Sequence, residues 1–282
     1  MAKKEKNQEP QYYLSRINTQ VLNYNVYVMK PMEKLLFSLL LIIVGGAVGL
    51  VFYGGLFKSD GQATMATYIS NIVIFVLVGL LAKKMFLPLI VDMLRNRRIK
   101  KLRLQFREFL STISNSLSSG MNVTDSLLRS YSDLEMQFSS DAYIVKEVAE
   151  LINGTQNNIA IEDMLSDFGK RSGIEDISNF ATVFETAYRT GGNLKQIVRR
   201  TTDIISEKML ISEEIQTKLT SNKMQMNVML VVPIFIMLML KTMSGDFAKA
   251  FSGVIGIICI TISIGLFFAA YKVGQKIMDI RG

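Results

Sequence analysis

Apolar positions along the chain follow two different rules. In four stretches they run on without interruption by charge: residues 35–57, 63–82, 224–240 and 250–271, of 23, 20, 17 and 22 residues. A helix rises about 1.5 Å per residue and a bilayer's hydrocarbon core is about 30 Å thick, so each stretch reads as a membrane-spanning helix. Only a helix or a closed barrel satisfies its backbone in lipid, and these runs are too long for barrel strands. The third is short, but Lys223 and Lys241 flank it and can snorkel to the headgroups. The first starts too late in the chain, and is too long, for a cleaved signal peptide.

Between the second and third stretches the rule changes to a period of three to four, with no convincing alternation of period two. Leu102, Phe106, Phe109, Leu110, Ile113 and Leu117 define one apolar face, and Gly120 stops that helix. The next helix starts at the N-cap Asn122 and buries Leu127, Leu128, Tyr131 and Leu134. A third follows Ser140-Asp141, carries Val145, Val148, Leu151 and Ile152, and ends at Asn153-Gly154. A fourth covers roughly residues 159–170 and a fifth residues 176–189. The sixth begins after Asn193 and leads directly into the third apolar stretch.

Gly120-Met121-Asn122-Val123 and Gly191-Gly192-Asn193-Leu194 share one logic: glycine C-cap, spacer, asparagine N-cap, apolar anchor. Gly191 and Gly192 are expected to hold a positive-φ turn. The expected fold is all-α: four transmembrane helices plus one six-helix bundle built from three helical hairpins. The expected division is an arm (1–31), two spans with a following juxtamembrane helix (32–94), the bundle (95–223), and two spans with a tail (224–282).

Composition agrees with a membrane protein carrying a polar insert. The chain of 282 residues is 49% hydrophobic, and its mean hydropathy is +0.28. The net charge of +8 is unevenly spread: residues 104–222 hold 11 basic and 17 acidic side chains, and the remainder holds 21 and 7. The excess base flanks the apolar stretches, which marks topology and headgroup contact, not a nucleic-acid face. Residues 3–34 and 83–103 and the tail are rich in lysine and arginine, whereas the two short loops carry little. Both termini and residues 83–223 are therefore expected in the cytoplasm. The basic cluster of residues 95–107 reads as an anionic-lipid contact.

Candidate chemistry is sparse. The chain has no histidine, which removes the commonest general base and metal ligand, and its single cysteine, Cys259, excludes an internal disulfide. Gly169-Lys170-Arg171 fails as a phosphate loop, since position 164 is Met and Arg171 stands where Ser or Thr is needed. No Asp, Glu, Lys or Arg falls inside a span, and Asp60, Asp92 and Asp246 lie outside or at the edges. That weighs against ion coupling and intramembrane proteolysis. No cofactor, metal site or catalytic residue is expected. Gly45-Gly46-Ala47-Val48-Gly49 in the first span permits close helix contact, and Pro233 in the third can mark a kink.

Two local signatures carry a family resemblance. One is Phe106, Phe109, Leu110, Ile113 and Leu117 followed by Gly120-Met121-Asn122-Val123 and Leu127. The other, more specific, is Thr186-Ala187-Tyr188-Arg189-Thr190-Gly191-Gly192-Asn193-Leu194. Over about residues 100–245 the chain resembles the type II secretion system F family, which includes the platform proteins of type II secretion, type IV pili and tight-adherence pili. With one such domain and four spans it is most similar to the single-domain tight-adherence branch.

The resemblance implies a non-enzymatic platform in the bacterial inner membrane, placed between a hexameric cytoplasmic ATPase and the growing pilin filament. The implied partners are that ATPase, pilin subunits, a paralogous platform protein or a second copy, and the lipid bilayer. Glu162, Asp163 and Asp167 of the acidic bundle are candidate contacts to a basic motor surface. A different class, a small-solute transporter or channel, would have to use Asn71, Asn227, Thr261 and Ser263. A membrane-anchored signalling adaptor is a third reading.

Overall fold

The computed structural model describes residues 10–15, 17–56, 64–190, 193–243 and 253–278. Among the described residues the chain is all-α apart from one short hairpin, with eight helices. They are α1 (Pro31–Tyr53), α2 (Met65–Ser118), α3 (Val123–Gln137), α4 (Tyr143–Gln156), α5 (Ile161–Ser172), α6 (Glu175–Arg189), α7 (Leu194–Met243) and α8 (Val254–Met278). The chain divides into two compact units. One joins Met1–Val28 to Val91–Ile211, and the other joins Met29–Ile90 to Ser212–Gly282.

The first unit is the helical domain. The end of α2 supplies its centre: Phe106 sits 6.0 Å from Phe109, 6.2 Å from Phe168 and 5.7 Å from Phe180, ring centre to ring centre. Leu102, Leu110 and Ile113 from the same helix are buried with them, as are Leu134, Val148, Ile177 and Val198 from α3, α4, α6 and α7. Each fully buried aromatic or aliphatic side chain contributes about 1.5–3 kcal/mol. Most of the periodic positions of the sequence are thus the core; Leu128, expected to be buried in α3, is instead 45% exposed, because its neighbour Leu127 takes the inward face.

Gly120 ends α2 at φ +91°. Its N–H donates to the Leu117 carbonyl, and the N–H of Met121 to that of Ser116, which together satisfy two of the helix's last carbonyls. The Asn122 side chain accepts from the N–H of Asp125 at 2.8 Å and starts α3, and Asn193 accepts from Gln196 at 3.2 Å and starts α7.

One further local expectation fails, and two other features were not anticipated. Gly154 does not end α4, which runs on to Gln156; it lies where α4 meets α5, and a side chain there would collide with the Met164 sulfur. The turn between the two helices, read in the sequence from Asn153-Gly154 and Asn158-Ile159, uses Asn158 at φ +59°. No break separates the second apolar stretch from the domain, since α2 is one helix of 54 residues with Pro88 inside it. The N-terminal arm, unassigned by pattern, forms an antiparallel hairpin, β1 (Tyr12–Leu14) with β2 (Gln20–Leu22), pairing Tyr12 with Leu22 and Leu14 with Gln20.

In the second unit, the small residues of α1 meet α2. A side chain added at Gly46 would meet the Phe75 ring at 2.5 Å, and one at Gly49 would meet Val78 at 2.9 Å. Gly45 faces Ala82 and Gly79 faces Ile42, so the glycine spacing is a helix–helix seam. Most other large apolar side chains of α1, of the first part of α2 and of α8 are exposed. Three segments are long and apolar enough to cross a membrane, in Pro31–Tyr53, Met65–Ser118 and Ile255–Gly274, and α7 contains a shorter apolar stretch, Val231–Leu240.

Candidate functional site

The most elaborate polar arrangement of the helical domain lies where the arm crosses α4 and α5. Arg171, in the last turn of α5, is 5% exposed and uses its donors in four directions. Nη1 and Nη2 donate to the two oxygens of Glu147 on α4 at 3.0 and 2.8 Å. Nε donates to Asp167 at 2.6 Å, one turn earlier in α5, and Nη1 also donates to the carbonyl of Leu22 in the arm at 3.0 Å. The buried Tyr24 hydroxyl donates to Glu147 Oε1 at 2.9 Å.

Burial, and then the adjacent Glu147 carboxylate, push the Tyr24 phenol well above its ordinary value. Burial by itself would lower Arg171, but hydrogen bonds and charge from Glu147 and Asp167 outweigh it and hold the guanidinium above its ordinary range. Both groups therefore stay protonated at any physiological pH.

The arm also finishes α5. The last carbonyls of a helix lack partners within it. Here the Tyr24 N–H donates to the Arg171 carbonyl at 3.0 Å, and the Asn25 amide donates to those of Lys170 and Arg171. Gly173 then turns the chain at φ +63°, and a Cβ there would strike the Asn25 side chain. This brings α6 back against α5, with Gly169 packed on the backbone of Ser178. A second buried carboxylate, Asp176 in the first turn of α6, accepts from Lys208 of α7 at 2.8 Å and lies 3.8 Å from Arg103 of α2. It ties three helices together.

The sequence-derived candidates fall elsewhere in this scheme. Gly120, Asn122 and Asn193 sit in the two turns, while Gly191 and Gly192 lie outside the described residues. Glu162 is buried against Arg189 at 3.4 Å, so it holds α5 to α6 and offers little to a partner. Asp163 and Asp167 are half-buried. Gly169, weighed as part of a phosphate loop, is inside a helix and buried.

The polar groups of the apolar segments are used locally. Asn71 accepts from the Gly55 N–H, and Thr261 donates to the Ile257 carbonyl and pairs with the Tyr53 hydroxyl. Ser263 is exposed, and the side chain of Asn227 lies outside the described residues. Cys259 is exposed, and no group of acidic and cysteine side chains able to hold a metal occurs among the described residues.

Pattern reading missed the arm's role. The alternation of Gln20-Val21-Leu22 after Asn18 hints at a hairpin, but Tyr24 and Glu147 are 123 residues apart and nothing local links them.

No curated protein and no solved structure matches the chain. Residues 109–241 match the family described as Type II secretion system (T2SS), protein F. That segment begins in the phenylalanine core of α2, contains α3 to α6 whole, and ends near the end of α7. Over residues 109–241 the chain is thus similar to the type II secretion system protein F family.

Proposed function

We propose that this chain is the inner-membrane platform of a pilus-assembly or secretion machine, of the tight-adherence kind, with no catalysis of its own. In this reading it crosses the membrane four times, with Val231–Leu240 at the heart of the third crossing. Both termini and residues 95–223 face the cytoplasm, as the lysine and arginine distribution favours. The helical domain receives movement from a hexameric ATPase, and α2 and α7 carry it toward pilin subunits in the bilayer.

The observation that supports this best is α7. One helix bears domain core residues, Val198, Ile205 and Met209, and then the apolar stretch Val231–Leu240, within a segment matched to the F family. Motor docking in this proposal draws on the net negative charge of the domain. On α5 the candidates are Glu162, Asp163 and Asp167, of which Glu162 is the most buried.

Photo-crosslinkers placed at exposed positions of the domain in living cells test the reading. The expected result is capture of a secretion ATPase, with loss of filaments on deletion of the gene. Filaments persisting in the deletion strain, with no ATPase captured, would refute it.

A further inference from the structure

The arm and α2 enclose a cleft of about 530 Å³ that the platform reading does not use. Arg97, Arg98, Lys100 and Lys101 supply its charge, and Tyr27 from the arm and Tyr143 from the start of α4 supply two aromatic walls. Leu94 and Leu104 complete its apolar surface, and among the described residues no carboxylate lines it. The two arginines and two lysines fall within five residues of α2, interrupted by Ile99, and Tyr27 of the arm lies beside them.

The cations are held for use. The Arg98 guanidinium stacks 4.5 Å over the Tyr27 ring and donates to the Val26 carbonyl at 3.3 Å, while its Nε is buried without a hydrogen-bond partner. Lys101 lies 5.8 Å over the Tyr143 ring. Arg97 is exposed and makes no ion pair among the described residues. Arg97, Arg98 and Lys101 repel one another across the cleft, and a bound phosphate relieves that repulsion while accepting several donors at once.

We propose that this cleft is a binding site for the headgroup of an anionic phospholipid. The phosphodiester meets Arg97, Arg98 and Lys101, and the glycerol and first methylenes lie on Leu94, Leu104 and the tyrosine rings. Two features favour a lipid over a free anion. The walls are apolar between the charges, and the cleft's basic residues follow the apolar part of α2 in the same helix. The site goes beyond the platform reading and does not depend on it.

The test uses the full-length protein in neutral detergent and native mass spectrometry. The probes are short-chain phosphatidylglycerol, short-chain phosphatidylcholine and inorganic phosphate. Phosphatidylglycerol is expected to bind saturably and to weaken about tenfold or more in the Arg97→Gln/Lys101→Gln variant. Arg97→Glu, at an exposed side chain, repeats the loss with minimal risk to folding. Arg199→Gln/Arg200→Gln, on the exposed face of α7, is expected to bind as the parent does. Equal affinity for phosphatidylcholine, equal loss in the α7 variant, or full displacement by inorganic phosphate at matched concentration would each overturn the proposal.

Discussion

Arg171 and Glu147 face each other as a two-pronged pair, Nη1 to Oε1 at 3.0 Å and Nη2 to Oε2 at 2.8 Å, both side chains almost wholly buried. The arm is bonded to both partners, through the Leu22 carbonyl and the Tyr24 hydroxyl. Taking two charges out of water costs several kcal/mol per ion, and only a nearly complete set of hydrogen bonds offsets that. The pair is therefore a condition for the arm's position more than a source of net stability.

Removing one partner should be far worse than removing both. Glu147→Leu leaves the buried guanidinium with half-buried Asp167 as its one remaining carboxylate partner and is expected to cost about 3 kcal/mol, whereas Glu147→Leu with Arg171→Met recovers much of it. Thermal unfolding of the full-length protein in detergent, read as a double-mutant cycle, measures the coupling. Additive losses would contradict the pairing.

Tyr24 makes stability depend on alkaline pH. Its folded value lies above the unfolded value of about 10, so its contribution is fully present below pH 10 and is lost as pH rises from there toward the folded value. The parent should lose stability in that range more steeply than Tyr24→Phe. At neutral pH the same substitution should cost about 1–3 kcal/mol, by leaving a buried carboxylate oxygen with one donor fewer. Melting curves at pH 8 and above pH 10 decide both points.

Gly169 tests the α5–α6 contact. A Cβ there would lie 2.9 Å from the Ser178 Cα, which is backbone and cannot swing aside. Gly169→Ala is expected to destabilise the domain by about 1–3 kcal/mol, in spite of alanine's better helix propensity. A neutral or stabilising result would show that the two helices are not held so closely.

The seam between α1 and α2 predicts a graded series. Gly46→Ala must displace the Phe75 ring, and Gly46→Leu must part the helices. Thermal unfolding of the full-length protein in detergent should show a stability loss that grows through that series, and equal melting of all three proteins would contradict the seam.

Much of this architecture is legible in the chain itself. Charge-free runs long enough, or nearly so, to cross a bilayer leave the backbone no alternative to helix, and the three-four spacing from Leu102 to Leu117 places the core face of α2 residue by residue. Asn122 and Asn193 mark helix starts because a short polar side chain satisfies free N–H groups one turn on. These are effects between near neighbours.

What required the fold were relations between distant segments. Gly154 has the composition of a helix end yet serves as a contact, because Met164 occupies the space a side chain would need. Glu162 looks like a surface carboxylate until Arg189 covers it. Above all, nothing along the chain reveals that the arm closes α5, orients the buried Arg171 and forms one wall of the basic cleft. Local patterning sets which residues form helices and which faces are apolar, since propensity and periodicity act over a few residues. Which buried charge meets which partner is decided only when segments more than a hundred residues apart are packed together, because electrostatic pairing depends on position in space and leaves no periodic trace.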